Sequence, residues 1–189
     1  MQDENDYFED KDIDLSLFDH LEDREFINCN FDVFSHSEIS FKNTKFIDCC
    51  FRKCDLSNTK MVGAVFRDTV FDHCKLLGIN WSQVSAADDL KFSNSILDFC
   101  VFNNLELHRF EAIECRLKEA DFSQCYLKKA DFSGSELRGV NFNGCDLTEA
   151  DFRGARNYFI DPNFSKIKKA KFDLPEATSF FKALGIDVG

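Results

Sequence analysis

The sequence from Ala120 to Gly154 repeats every five residues: ADFSQ, CYLKK, ADFSG, SELRG, VNFNG, CDLTE and ADFRG. Most blocks begin with a small or slim residue, most continue with a polar residue, and all have Phe or Leu in third place. A period of five matches neither the 3.6-residue turn of an α-helix nor the two-residue alternation of a plain strand. Because such a repeat determines the whole architecture, we interpret it before any single element.

Extended chain that turns a corner after every block explains this repeat. Residues two apart in a strand point the same way, so Ala120 and Phe122 face one side while Asp121 and Ser123 face the other. If the first and third residues of every block point inward, the chain winds a tube filled by Phe and Leu, with polar, Gly-rich corners. Successive coils then pair their backbones at the strand spacing of about 4.8 Å.

The central residues recur beyond this stretch and support a coil of twenty residues. They continue at intervals of five from Phe26 to Trp81 and from Phe92 to Phe152, with His36 and Ala112 as exceptions. Stacking the chain at twenty aligns like residues, as in the columns Phe26, Phe46, Phe66 and Phe31, Phe51, Phe71. The pattern resembles the pentapeptide-repeat family over residues 25–173. This resemblance implies an all-β, right-handed quadrilateral parallel β-helix with four sides per coil.

Five segments are expected. Residues 1–25 carry eleven acidic and two basic residues, a net charge of −9, and form an acidic N-terminal cap or tail, or else a contact surface for a basic partner. Residues 26–81 and 92–173 form two β-helix subdomains. The rhythm breaks at residues 82–91 with one inserted residue, which predicts a bulge or loop, either tolerated at the surface or used for recognition. Residues 174–189 form a short helix.

The C-terminal helix has a defined start and end. Pro175 suits a first helical position and Gly185 the residue after a helix end. An apolar stripe between them predicts that the helix caps the last coil, pairs with a second chain, or does both. The expected dimer interface consists of Phe180, Phe181, Leu184, Ile186 and Val188.

Composition and motifs favour a non-catalytic protein. The net charge of −11 disfavours direct nucleic-acid binding. No run is long enough to cross a membrane, and the acidic start differs from a signal peptide, so we expect a cytoplasmic protein. The four His residues form no catalytic or metal motif, and no cofactor, metal or catalytic residue is predicted.

Eight of the nine Cys residues stand two positions before a central residue, as Ala120 does. This is the slim inward position, where reduced Cys acts as a small hydrophobe. The exception is Cys50. Because this spacing follows the repeat, packing is favoured over a zinc site at Cys49, Cys50 and Cys54. Asp121, Asp131 and Asp151 likewise recur in second place, where carboxylates are expected to accept hydrogen bonds from corner N–H groups.

The order of segments resembles the Qnr-like branch of the family, with the microcin B17 and albicidin immunity proteins. That resemblance rests on GINW at residues 78–81, IDP at 160–162, IKKAKFDLPEA at 167–177 and LGIDV at 184–188. It implies a homodimer joined through the C-terminal end that binds DNA gyrase or topoisomerase IV as a DNA mimic and protects it from quinolones or toxins. A structural scaffold for another protein is the alternative. The candidate partner-binding face comprises Glu111, Glu114, Asp131, Asp151, Asp88 and Asp89.

Overall fold

The computed structural model describes residues 6–18, 21–35 and 39–187. The chain forms a parallel β-solenoid with four faces, as the five-residue repeat predicts. Strands are three residues long or shorter, because each face ends at a corner after five residues. Their bounds are β1 Tyr7–Glu9, β2 Asp12–Ile13, β3 Glu25–Ile27, β4 Asn30–Asp32, β5 Lys45–Ile47, β6 Cys50–Arg52, β7 Val65–Arg67, β8 Val70–Asp72, β9 Ala86–Asp88, β10 Lys91–Ser93 and β11 Glu111–Ile113.

Two faces carry regular sheets and two are held by single bridges. The first face has the strand order β1-β3-β5-β7-β9, and the second has β2-β4-β6-β8-β10-β11, all parallel. The third face includes the bridge Ser35–Asp55 and the fourth includes Ser40–Lys60. Beyond Ile113 the second face continues through isolated bridges, such as Asp131–Asp151 and Asp151–Lys171. The twenty-residue coil expected from the sequence is therefore confirmed.

The interior is a set of stacked aromatic columns. Phe31 and Phe51 stack with ring centroids 4.3 Å apart, and Phe51 stacks on Phe71 at 4.9 Å. Such close, near-parallel stacking follows from placing identical side chains on adjacent parallel strands. These rings are fully buried and belong to one continuous core. His36, the expected exception, lies outside the described residues.

The solenoid begins earlier than the boundary predicted at residue 25. Strand β1 pairs with β3, so that Phe8 lies against Phe26, and β2 pairs with β4. Residues 7–13 of the predicted acidic cap or tail thus form the first two strands of the solenoid. The offset between Phe8 and Phe26 is 18 residues because the first coil is shorter, with a 3-10 turn at Leu15–Leu17. Aligning the sequence at intervals of twenty residues therefore does not place Phe8 in the column of Phe26.

The break predicted at residues 82–91 is a corner of a continuous stack. The one inserted residue is accommodated by a 3-10 turn, Trp81–Gln83, in which the Ser82 N–H donates to the Asn80 side-chain oxygen at 3.1 Å. Strand β7 still pairs with β9, now at an offset of 21 instead of 20. Residues 82–91 therefore contain strand β9 and the start of β10 rather than a separate loop, and the backbone pairing links the two predicted subdomains.

A short helical segment covers the C-terminal end of the core. It comprises a 3-10 turn, Glu176–Thr178, and one turn of α-helix, α1, Ser179–Ala183. The Phe180 ring packs on Phe172 at 4.7 Å and on Tyr158 at 6.3 Å. Gly185 follows with φ of +70°, as expected of a residue that ends a helix. Capping of the last coil is thus the role of Phe180. Over the described residues, no helix has the length and apolarity needed to cross a bilayer.

Candidate partner-binding surfaces

The predicted acidic residues lie on or beside the second face. Glu111, Asp131 and Asp151 occupy successive coils in one bridged ladder that ends at Lys171. Glu114 lies at the corner that follows this face, and Asp88 and Asp89 lie near the corner that precedes it. The repeat therefore brings the six predicted residues to one side of the solenoid.

Basic neighbours neutralise much of this predicted face. Asp151 forms ion pairs with Arg153 at 2.6 Å and with Lys171 at 3.1 Å, and its side chain is only 12% exposed. The hydrogen bonds from Arg153 hold the pKa of the Asp151 carboxyl well below its ordinary value. Glu111 lies 3.9 Å from the Lys91 ammonium group. A cationic partner would have to compete with these internal cations.

The second-place carboxylates also support the corners, as the sequence predicted. Asp121 accepts a hydrogen bond from the Ser123 N–H at 2.9 Å, and Asp131 accepts one from Ser133 at 2.8 Å. Asp151 accepts the corresponding N–H of Arg153 at 3.1 Å. These carboxylates stabilise the turn two residues later, which accounts for their recurrence without any partner.

A single edge of the solenoid carries a more distinct charge pattern. We name the corner between the first and second faces the charged edge. One residue of each coil occupies this corner, and all of these residues have a left-handed backbone. In order along the solenoid they are Asp10, Asn28, Asp48, Asp68, Asp89, Arg109, Lys129, Glu149 and Lys169. Backbone hydrogen bonds link successive positions, as from Asp48 to the carbonyl preceding Asp68. Asp and Asn adopt this conformation more readily than most residues, because their short polar side chains bond locally.

The sign of the charge changes halfway along the charged edge. Four of its first five positions are Asp, and three of its last four are Arg or Lys. The change occurs where Arg109 contacts Asp89 at 2.7 Å. Within the described residues, Asp48, Asp68, Lys129 and Lys169 form no ion pair, and all four are exposed. The acidic half and the basic half of this edge are therefore available to partners of opposite charge.

The sequence analysis missed the charged edge. Of the nine residues, it included only Asp89 in a candidate binding face. The charged edge could have been found by aligning the residues that lie two places after each central residue of the first face, coil by coil. Two irregular offsets hide this column: 18 residues between Asp10 and Asn28, and 21 between Asp68 and Asp89.

The end of the molecule opposite Phe8 carries several exposed apolar side chains. Six of them lie in the last coil and the helical segment, and we name this group the C-terminal apolar end: Phe159, Phe164, Leu174, Phe181, Leu184 and Ile186. Exposed apolar side chains concentrated in one region are typical of an interaction surface. Phe181, Leu184 and Ile186 were predicted here, whereas Phe180 packs on its own chain and Val188 lies outside the described residues.

The cysteines are packing residues, as predicted. The eight at slim positions are buried, and Cys50 is half-buried. Burial raises the pKa of the Cys100 thiol to about 12, so it remains a thiol at neutral pH. Many donate S–H to carbonyls of the preceding coil, as Cys145 does to Phe122 at 2.9 Å. Over the described part of the chain, no cluster of His, Cys, Asp and Glu is arranged to hold a metal ion.

Comparisons with known proteins agree with this geometry. A family model for pentapeptide repeats, in eight copies, matches residues 25–61, 49–84 and 115–154. A structure of QnrB1, described as a plasmid-mediated fluoroquinolone resistance protein, is similar over 97% of this chain and 99% of that one, with a TM-score of 0.70 and 19% identity. A second trypsin-treated QnrB1 variant gives a TM-score of 0.52 and 18% identity over 97% of this chain and 98% of that one. No curated protein sequence matches the chain.

Proposed function

We propose that this chain, which belongs to the pentapeptide-repeat family, is a non-catalytic protein that binds DNA gyrase or topoisomerase IV and protects the enzyme from quinolones or toxins. The family model matches more than half of the chain. The similarity to a fluoroquinolone resistance protein over almost the whole chain supports this function. The acidic half of the charged edge is the observation that carries the proposal. A topoisomerase binds duplex DNA through a basic surface, and a row of carboxylates on a rigid rod presents the complementary charge.

The spacing of these carboxylates suits imitation of a phosphate backbone. Asp48 and Asp68 lie one coil apart, or about 4.8 Å along the axis. One strand of B-DNA has a charge about every 3.4 Å of axis. Glu9, Asp12 and Asp14 add exposed carboxylates beside Asp10 at the N-terminal end. The acidic half therefore approaches the charge density of one DNA strand, although the charge of the whole second face is largely neutralised.

A homodimer through the C-terminal apolar end belongs to the same proposal. Covering Phe164, Leu174 and Leu184 with a second copy would remove a large apolar surface from water. Two rods joined at this end would place their acidic halves far apart, at the two outer ends. The dimer would then present two acidic segments, one at each outer end, to a twofold-symmetric enzyme.

The proposal is tested by titrating the protein into a gyrase supercoiling assay with and without a quinolone. We expect the wild type to bind the enzyme and to restore supercoiling in the presence of the drug. The variant Asp48→Lys with Asp68→Lys should lose both effects, whereas Glu106→Lys with Glu119→Lys, which makes the same charge change at two exposed carboxylates outside the charged edge, should retain them. If the wild type neither binds nor protects gyrase or topoisomerase IV at any concentration, the proposed function is wrong.

A further inference from the structure

The charge pattern of the charged edge is self-complementary. An antiparallel second copy can be placed beside the first by a twofold axis perpendicular to the rod that passes at the level of Asp89. Residues at equal distances from Asp89, in coils, then face each other across the contact. Arg109 faces Asp68 of the second copy, Lys129 faces Asp48, and Lys169 faces Asp10.

The remaining positions of the column also agree with this register. Glu149, the one acid in the basic half, faces Asn28, whose side-chain amide already donates to Asp10 at 2.6 Å. The two copies of Asp89 meet on the axis, and each is paired with its own Arg109 at 2.7 Å. In the neighbouring column on the first face, Lys168 faces Glu9, and the two copies of Asp88 meet on the axis, each 3.5 Å from its own Arg67. No like-charged pair along the edge is left uncompensated in this register.

We propose that the charged edge is a docking surface for a second copy of this chain, arranged side by side and antiparallel in the register centred on Asp89. Both molecules contribute the same edge, so the contact closes on itself as a twofold interface. It is distinct from the C-terminal apolar end, which joins rods end to end. It covers the acidic half that the proposed function offers to a topoisomerase, so self-association competes with that partner.

Exposed ion pairs contribute little each and are screened by salt. The side-by-side dimer is therefore weak, and its association should fall at least about tenfold between about 0.05 M and about 0.5 M NaCl. End-to-end contacts between apolar surfaces do not weaken in this way, because salts do not screen apolar burial. Sedimentation equilibrium at both salt concentrations separates the two modes.

Zero-length carbodiimide cross-linking of the full chain tests the register. The expected bonds join Lys129 to Asp48 and Lys169 to Asp10. Within one chain these pairs lie four and eight coils apart, about 19 Å and about 38 Å, too far for a direct amide bond. A mixture of unlabelled and ¹⁵N-labelled protein identifies each bond as intermolecular by mass spectrometry.

Charge reversal supplies the decisive comparison. Lys129→Asp should weaken low-salt association about tenfold, because it opposes Asp48, and should reduce the Lys169–Asp10 bond. Combining Lys129→Asp with Asp48→Lys restores opposite charges across the axis and should restore both. Lys118→Asp, an equal charge change on the third face, should leave both unchanged.

Absence of the two predicted bonds in the wild type, or failure of the double variant to recover association, overturns the proposal. These measurements contain no topoisomerase, so their outcome is independent of the proposed function.

Discussion

Phe110 fills the space that Ala112 leaves in the core. Ala112 occupies a central position, and the residues in register with it on the neighbouring coils are Phe92 and Phe132. Phe110, two residues earlier at the slim position, places its ring 5.5 Å from Phe92 and 5.6 Å from Phe132. The large and small residues of this block have exchanged places, and the packed volume is conserved.

A double-mutant cycle tests this exchange. Phe110→Ala should destabilise the protein by about 3–5 kcal/mol, because it leaves a cavity. Ala112→Phe alone should cost about 1–3 kcal/mol by overpacking. The double variant, which restores the usual order, should be more stable than Phe110→Ala alone. Urea unfolding followed by circular dichroism gives the three free energies; additivity of the two single effects would show that the residues do not share this space.

Phe132 tests the inward direction of the central residues. It is fully buried, and its ring stacks on Phe152 at 5.1 Å. Phe132→Asp should prevent folding, because it buries a carboxylate without a partner. Phe132→Leu should remain folded, since Leu occupies many central positions. Far-ultraviolet circular dichroism and solubility distinguish the two; a soluble, cooperatively unfolding Phe132→Asp protein would contradict the assignment.

Asp151 should make the stability of the protein depend on pH. Its pKa is depressed below the ordinary 3.8, first by the hydrogen bonds from Arg153. A depressed carboxyl pKa stabilises the folded state above the unfolded value, and this stabilisation is lost as the pH falls through the folded value. Asp151→Asn should therefore cost about 1–3 kcal/mol at pH 7.

That difference between wild type and Asp151→Asn should shrink below about pH 4, near the ordinary carboxyl value. Urea titrations from pH 7 to pH 2 measure it. Glu114→Gln, which removes a carboxylate that forms no ion pair within the described residues, serves as the control. A difference that is constant over this range would mean that the carboxylate charge contributes nothing.

The C-terminal apolar end should determine the oligomeric state at physiological salt. Phe181 and Leu184 are 39% and 51% exposed, so changing both to Ser should leave the fold intact and convert a dimer to a monomer. Size-exclusion chromatography with light scattering measures the mass. Val62→Ser removes a residue of similar exposure, 48%, far from this end, and should not change the mass. A wild type that is monomeric would contradict the proposed dimer.

The sequence predicted the features that follow from strict periodicity. The columns of Phe, the buried Cys positions and the corner carboxylates all derive from a five-residue rule, and the structure places them accordingly. The features that it missed depend on departures from that rule. The first coil is shorter than twenty residues, so Phe8 and Ile13 escape the count. Phe110 and Ala112 conserve volume rather than order, and packing energy depends on volume.

The corner at Trp81–Gln83 shows where this architecture tolerates change in length. One additional residue enters there, yet the downstream strands recover the same inward and outward orientations. Insertions in the straight part of a face would invert every later side chain, whereas a turn absorbs them. Longer segments grafted at this turn should leave the stack beneath them intact, so the position beside Ser82 is a suitable place to add a recognition loop or a fluorescent label to the rod.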